Sequence, residues 1–197
     1  DSDPENFIDV NGVLFFTANN GSTGRELWKT DGTEAGTVPI KDIRTGSSGS
    51  NPSYLTNING VVYFSAYNYS SGEELWRSDG TSEGTYLVKD IFPGSGASEG
   101  SNPETLIDYN GILYFSANDG VNGKSMWRSD GTDEGTVRVS SVYPGKGTTV
   151  YDGGLTIFNG LMYFGAAESG LGFELWRSDG TDAGTSLVID LEPGSLS

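Results

Sequence analysis

The sequence predicts an all-β fold, a four-bladed β-propeller, and three observations predict it. A phrase of the type Glu-Leu-Trp-x-x-Asp-Gly-Thr occurs four times, and its tryptophans are 48, 51 and 49 residues apart. A repeat of this length is typical of a propeller blade. The 30 glycines, spread through every unit, indicate many short turns and therefore many short strands. Large apolar residues stand side by side, as in Leu75 and Trp76, so both faces of each sheet must be covered. A ring of sheets, each between two others, meets that need.

The 197 residues are predicted to form a single domain. The repeat units run approximately over 1-50, 51-101, 102-152 and 153-197. A unit of this size cannot bury its own apolar face and depends on its neighbours. The chain holds four whole units, so it can close on itself as a ring.

Unit two shows the strand pattern most clearly. A strand that begins at Tyr54 ends in Asn59-Gly60, a dipeptide that favours a tight hairpin because both residues tolerate positive φ. Further strands are predicted over 61–67, 73–77 and 85–91, and a loop rich in Pro, Gly and Ser then leads to unit three. Each unit is therefore predicted to be a four-stranded antiparallel meander.

Composition excludes several classes of function. The net charge is -16, and an acidic surface repels nucleic acid and anionic membranes. No apolar run is long enough to span a bilayer, so membrane insertion is not expected. The chain has no cysteine and no histidine, which excludes Ser-His-Asp and Cys-His catalysis and histidine-ligated metals. The expected state is a monomer or part of a longer array.

The repeated phrase resembles the ELWxxDGT repeat family of bacterial secreted and surface proteins, which often occur as long tandem arrays. The resemblance covers all four units, and unit three departs from it with Ser125 and Met126 in place of Glu and Leu. The resemblance implies an extracellular protein, secreted or on the cell surface. It implies no activity that could be assigned to particular residues.

Two repeated features favour structural roles. Each Asp-Gly-Thr loop begins with an aspartate whose carboxylate can accept bonds from backbone N–H groups two residues on; these are Asp31, Asp79, Asp130 and Asp179. A calcium loop would need more constant oxygen ligands than this single carboxylate. The tryptophans could stack on sugars, but one per unit at a fixed strand position favours packing between blades; these are Trp28, Trp76, Trp127 and Trp176.

A paired change inside the chain suggests a candidate metal site. Units one, two and four each carry a glutamate before Leu-Trp and an aspartate after the fourth predicted strand, namely Glu26 with Asp42, Glu74 with Asp90, and Glu174 with Asp190. Unit three replaces both with serine, at Ser125 and Ser141. The two acids could share a cation, with Ca²⁺ as the possible ion in a ring of carboxylates near the axis. They could instead share backbone donors, or lie on exposed strand ends where unit three has drifted.

The variable segments are predicted to lie together at one end of the propeller. In a meander, the turns after the second strand and the loops between units share one end, and the near-constant turns occupy the other. The variable end carries aromatic residues interleaved with Asn, Asp, Ser and Gly: Tyr67, Tyr69, Phe92, Tyr143, Tyr151 and Phe173. Aromatic faces with hydroxyl and amide groups suit a carbohydrate or a protein partner.

These observations predict a non-enzymatic extracellular binding or adhesion module. One alternative is a purely structural unit of a surface tandem-repeat array, which chain ends that splay apart rather than close the ring would favour. The other is an acid-pair glycan-cleaving enzyme, which pocket acids specific to single blades would favour.

Overall fold

The computed structural model describes residues 1–94, 99–142, 154–168, 172–191 and 193. It confirms the predicted fold class, because these residues form four sheets of four antiparallel strands each. Every sheet is a meander in which strands consecutive in the chain are neighbours. The fold is a β-propeller of four blades. Within the part of the chain so described, no helix is long and apolar enough to cross a membrane.

Each blade contributes four strands in chain order. Blade one contains β1 Glu5–Val10, β2 Val13–Asn19, β3 Arg25–Thr30 and β4 Val38–Lys41. Blade two contains β5 Ser53–Ile58, β6 Val61–Asn68, β7 Gly72–Ser78 and β8 Tyr86–Lys89. Blade three contains β9 Glu104–Tyr109, β10 Ile112–Asn118, β11 Lys124–Ser129 and β12 Val137–Ser140. Blade four contains β13 Thr156–Phe158, β14 Leu161–Glu168, β15 Gly172–Ser178 and β16 Ser186–Ile189.

The fourth strand of unit two is shorter than predicted. Sequence analysis placed it over 85–91, whereas β8 ends at Lys89. The reason lies in the next residues, since the Ile91 N–H leaves the sheet ladder and donates to the Glu74 carboxylate at 3.1 Å. At this point the Glu74 side chain, and not a neighbouring strand, accepts the backbone hydrogen bond.

The Asn-Gly turns form as the sequence predicts. Asn59 has φ of 53° and Gly60 has φ of 86°, the pair of positive values that a type I′ hairpin requires. The equivalent asparagines Asn11, Asn110 and Asn159 also have positive φ. All four first hairpins therefore have the same geometry.

Blades two and three bury apolar side chains on both faces. We call the face that packs on the next blade the front face, which in blade two comprises Ile58, Tyr63, Leu75, Val88 and Ile91. We call the face that packs on the preceding blade the back face, which in blade two comprises Val62, Phe64, Ala66 and Trp76. Three core clusters result, one at each junction between consecutive blades.

The first strands of blades one, two and three lie side by side, closest to the axis. β1 packs along β5, and β5 packs along β9. Side chains join these strands across the blade boundaries: Asn57 Nδ2 donates to the Asp9 carbonyl at 3.3 Å, and Thr56 Oγ1 donates to the Leu106 carbonyl at 3.2 Å. The third and fourth strands therefore lie outward, toward the rim.

The left-handed conformation of Asn59 gives a first prediction. Replacing Asn59 with Ala should lower the free energy of unfolding by about 1 kcal/mol, because alanine tolerates positive φ poorly. Chemical denaturation would measure the loss. Asn122→Ala is the control, since this exposed asparagine lacks a positive φ. Equal stability of Asn59→Ala and the parent protein would contradict the explanation.

Candidate functional site

The Asp-Gly-Thr loops are closed by their own hydrogen bonds. In blade two, Asp79 Oδ1 accepts the Thr81 N–H at 2.8 Å and the Thr81 hydroxyl at 2.7 Å. Thr81 Oγ1 in turn accepts the Gly84 N–H at 2.9 Å. The same bonds recur in the other three blades. The structural interpretation of these aspartates agrees with this geometry.

The second glycine of the loop is required by space, a reason that sequence reasoning missed. A Cβ on Gly84 would lie 2.1 Å from Asp79 Oδ1. Hydrogen bonding to Thr81 holds the pKa of Asp79 below its usual value, so the carboxylate stays ionised and keeps the turn closed. The loop motif is thus a self-contained turn.

Three of the four tryptophans lie in the junctions between blades, as predicted, whereas Trp28 of blade one is only partly buried and belongs to no core cluster. Trp76 belongs to the core cluster of blades one and two, Trp127 to that of blades two and three, and Trp176 to that of blades three and four. Their relative exposures are 5% to 7%. Side chains buried to this extent are not platforms for a sugar.

A buried glutamate fastens each of the first two blades to the loop that leaves it. Glu74 is fully buried on β7. Its carboxylate accepts the backbone N–H groups of Ile91, Phe92 and Ser101 at 3.1, 3.2 and 2.9 Å, and the Ser101 hydroxyl at 2.5 Å. We call this arrangement the carboxylate clamp, and Glu26 repeats it with Ile43, Arg44 and Ser50. In blade four, Glu174 accepts the Leu191 N–H at 2.9 Å.

Blade three replaces the carboxylate clamp with hydroxyl groups. The Val142 N–H donates to Ser140 Oγ at 3.1 Å, where the equivalent N–H in blade two donates to a carboxylate. Ser125, at the glutamate position, accepts from Arg138 Nε at 2.9 Å. Where this unit lacks the Glu and the Asp, serine hydroxyl groups are thus the hydrogen-bond acceptors in place of a carboxylate.

The candidate metal residues do not form the expected ring. Glu26, Glu74 and Glu174 lie on the third strands, away from the axial first strands. Among the residues that the structure describes, no three acidic side chains are grouped so as to hold a metal ion. Glu26 and Asp42 do line one cavity of about 410 Å³, but both Glu26 oxygens accept hydrogen bonds. Of the alternatives from the sequence, shared backbone donors are what the structure shows for Glu26 and Glu74.

Burial changes the protonation of the clamp. Desolvation raises the pKa of Glu74 to about 7, although the bonds from Ser101, Ile91 and Phe92 act in the opposite direction. Desolvation also raises the pKa of Glu26 and of Asp90, whose Oδ1 is buried. A raised pKa in the folded state means that the folded protein binds the proton more tightly than the unfolded chain does.

A second prediction follows from this direction. The proton on Glu74 stabilises the fold fully below pH 4.5, and this contribution is lost as the pH rises through about 7. Between pH 4 and pH 8 the parent protein should therefore lose about 3 kcal/mol of unfolding free energy relative to Glu74→Gln. Denaturation curves across this range would measure it, with the exposed Glu83→Gln as control. If the parent protein instead gains stability relative to Glu74→Gln as the pH rises, the hydrogen bonds outweigh desolvation.

Where the structure describes the variable loops, their aromatic candidates have separate neighbours. Arg44 lies over the Tyr67 and Tyr69 rings, 4.3 and 4.6 Å from their centroids. Phe92 instead covers Gly120 of blade three, where a Cβ would lie 2.2 Å from its ring. Phe173 is 48% exposed on blade four. Tyr143 and Tyr151 lie outside the described residues.

A polar cavity opens at the axis, and sequence reasoning did not find it. It measures about 660 Å³ and is lined by residues near the starts of β1, β5 and β9 together with Glu73: Asn6, Phe7, Ser53, Tyr54, Leu55, Glu73, Asn102 and Glu104. Asn6, Tyr54 and Thr105 occupy equivalent positions and have φ of 56°, 57° and 55°. Register shifts at these points mark β-bulges, which re-aim side chains.

Two carboxylates of this cavity are held by specific contacts. Glu104 forms a salt bridge with Lys124, and Glu73 Oε1 accepts the Ser65 hydroxyl at 2.8 Å. The position of Glu73 is occupied by Arg25 in blade one and by Lys124 in blade three. Glu73 is therefore an acid found in one blade only.

The front face of blade four is open. Leu175 is 37% exposed, whereas its equivalents Leu27, Leu75 and Met126 are 0% exposed. Phe158 is 60% exposed against 5% for Ile58, and Leu191 is 71% exposed against 4% for Ile91. Four whole repeat units would allow the chain to close as a ring, but blade one does not cover this face of blade four.

The back face of blade one is also less covered than its counterparts. Trp28 is only partly buried, and Phe7, near the axis, is 59% exposed. Phe7 stacks on Phe16 with ring centroids 6.0 Å apart. On this face Phe16 and Ala18 are buried, at 8% and 5% exposure, so the apolar surface exposed on blade one includes Phe7 and part of Trp28.

Comparisons with known proteins support the fold. No protein-family model and no curated protein matches the chain. Among solved structures, puromycin hydrolase has a TM-score of 0.57 at 15% identity, with 95% of this chain and 29% of that chain covered. The computationally designed Ika8 protein has a TM-score of 0.50 at 14% identity, with 98% of this chain and 50% of that chain covered. This chain thus spans half or less of each of these two proteins.

A third match is an alpha-L-arabinofuranosidase from Clostridium thermocellum, with a TM-score of 0.42 at 17% identity and coverage of 98% of this chain and 74% of that chain. Puromycin hydrolase, whose TM-score exceeds 0.5, is a hydrolase and not an adhesion protein. The prediction of a non-enzymatic binding or adhesion module is wrong by this comparison. At such low identities the likeness shows the fold alone. It does not assign the reactions of these hydrolases to this chain.

Proposed function

We propose that this chain is a structural unit of a surface tandem-repeat array, in which further blades of the same type cover its two open faces. The observation that carries the proposal is the exposed front face of blade four. Its residues are of the same apolar kind as those that seal the three internal junctions: Phe158, Tyr163, Leu175, Val188 and Leu191.

Burial of this apolar face would stabilise the folded protein. Full burial of one Leu, Val or Phe side chain contributes roughly 1.5 to 3 kcal/mol, and several such side chains are exposed here. A repeat that cannot bury its own faces gains stability from each neighbour. The proposed surface location follows from the resemblance of the repeated phrase.

The proposal predicts the effect of one added unit. A second copy of residues 51–101, joined after Ser197, should act as a fifth blade, because Ser197 would then precede Asn-Pro as Ser50 does. We expect slower amide exchange in β16 and about 3 kcal/mol more unfolding free energy, from burial of Leu175, Val188 and Leu191.

The matched control is the same fusion with Phe64→Asp in the added unit alone. This change places a charge in the back face that would contact blade four, so protection of β16 should be lost. If β16 exchanges equally fast in the parent protein and in the five-unit protein, the structural proposal fails.

The axial cavity favours a second candidate, a hydrolase that uses an acid pair to cleave glycans. A volume of about 660 Å³ is within the range of small-molecule sites. The lining includes the two carboxylates Glu73 and Glu104, and a pair of carboxyl groups is the minimum equipment for glycoside hydrolysis. The salt bridge with Lys124 holds the Glu104 carboxylate at the edge of this cavity.

This candidate is tested with chromogenic aryl glycosides. Glu73→Gln and Glu104→Gln should each lower kcat/KM at least about 100-fold, because each removes one proton-transfer group. Glu83→Gln, in an Asp-Gly-Thr loop, is the control and should leave activity unchanged. No turnover by the parent protein, or equal turnover by all variants, would exclude this chemistry.

A further inference from the structure

We propose that a second copy of this chain docks head to tail, with its blade-one back face on the blade-four front face of the first copy. The inference rests on the structural role proposed above and names the partner that the open faces accept. Its basis is continuity, because the same pairing of faces already occurs three times within the chain.

The apolar residues of the two open faces correspond to an internal junction. Between blades one and two, Phe15 and Leu27 pack with Phe64. Tyr163 and Leu175 hold the equivalent front positions in blade four, and Phe16 holds the equivalent back position in blade one. The proposed junction thus repeats an arrangement of aromatic and aliphatic side chains that this sequence already packs.

The Asp-Gly-Thr loops provide a second line of support. A Cβ on Gly131 would lie 2.3 Å from the Tyr63 hydroxyl, and one on Gly180 would lie 2.3 Å from the Tyr114 hydroxyl. Each of these loop glycines therefore touches a ring of the preceding blade. Gly32, in blade one, has no atom within 4 Å of the equivalent point. Tyr163 of a preceding copy is the ring that would occupy it.

Tyr163 would also bring a hydrogen bond. At the junction of blades three and four, the Tyr114 hydroxyl donates to the Gly180 carbonyl at 3.3 Å. The same geometry would let Tyr163 of one copy donate to the Gly32 carbonyl of the next. The loop of blade one thus presents the acceptor that matches the donor on blade four.

The proposed junction is more apolar than the internal ones. Lys41 donates to the Thr85 carbonyl at 2.6 Å, and Lys89 donates to the Asp133 carbonyl at 3.0 Å, so each reaches the loop of the following blade. In blade four the equivalent residue is Ile189, which is 50% exposed. Docking would bury this isoleucine without burying a lysine, as suits a stable interface between copies.

Head-to-tail docking joins two different surfaces, so the interface is heterologous. Each copy keeps one unused face after the first contact, and copies can add until a ring closes. A variant with a damaged back face retains an intact front face. Two variants, each damaged on a different face, can therefore complement one another.

The test uses sedimentation velocity on the whole chain over a dilution series. Phe7→Asp damages the back face of blade one, and Phe158→Asp damages the front face of blade four; the two side chains are 59% and 60% exposed, so folding should tolerate both. Tyr69→Asp is the matched control, because this aromatic residue is 52% exposed on a variable loop. Circular dichroism verifies that each variant is folded.

We expect concentration-dependent association of the parent protein and of Tyr69→Asp, with the dissociation constant raised at least tenfold in each face variant. An equimolar mixture of the two face variants should form a heterodimer through its one undamaged pair of faces. A parent protein that stays monomeric at the highest concentration, or association that neither face variant weakens, overturns the proposal. So does a mixture that fails to complement.

The two proposals fail separately. If the added fifth unit protects β16 but the free chain stays monomeric, the structural role stands and docking between copies does not. If the added unit gives no protection, the structural role itself fails, whatever the sedimentation result.

Discussion

The burial of one blade against the next is the constraint on which the rest of the structure depends. A four-stranded sheet of this size has large side chains on both faces and cannot cover either by itself. Leu75 and Phe64 point to opposite sides of blade two, and both reach zero exposure only because blades one and three lie against them. The turns, the loop bonds and the carboxylate clamps all serve to present these faces in the same orientation.

The division between a constant and a variable end follows from that constraint. Asn-Gly turns and Asp-Gly-Thr loops set the register of every blade, and each Asp-Gly-Thr loop after the first contacts the preceding blade. A change there would disturb a junction as well as a turn. The opposite end carries the crossing loops, whose main requirement is to return a few N–H groups to a glutamate such as Glu74. Sequence can therefore vary at that end without moving the blades.

The fold could be predicted from the sequence, because period, turn chemistry and two-sided apolar strands are local patterns that all indicate a propeller blade. The site was harder to predict. The pairing of Glu26 with backbone donors depends on how the crossing loop folds back, and a similar pattern of acids could equally have held an ion. The axial cavity joins residues from three blades, such as Asn6, Ser53 and Glu104, and no spacing in the sequence signals their proximity. The open front face of blade four could not be predicted either, because the residues beside Leu175 in the repeated phrase are the same as those beside the buried Leu75.

The unequal clamps give the molecule a mechanical polarity. Glu26 and Glu74 tie the end of one blade to the first residues of the next through Ser50 and Ser101, so pulling on either crossing loop would load a buried carboxylate. Ser125 offers no carboxylate at the corresponding point of blade three, and its hydroxyl accepts from Arg138 of the same blade. Tension applied along the chain would therefore load a buried carboxylate where the chain leaves blades one and two, and only hydroxyl groups in the described part of blade three.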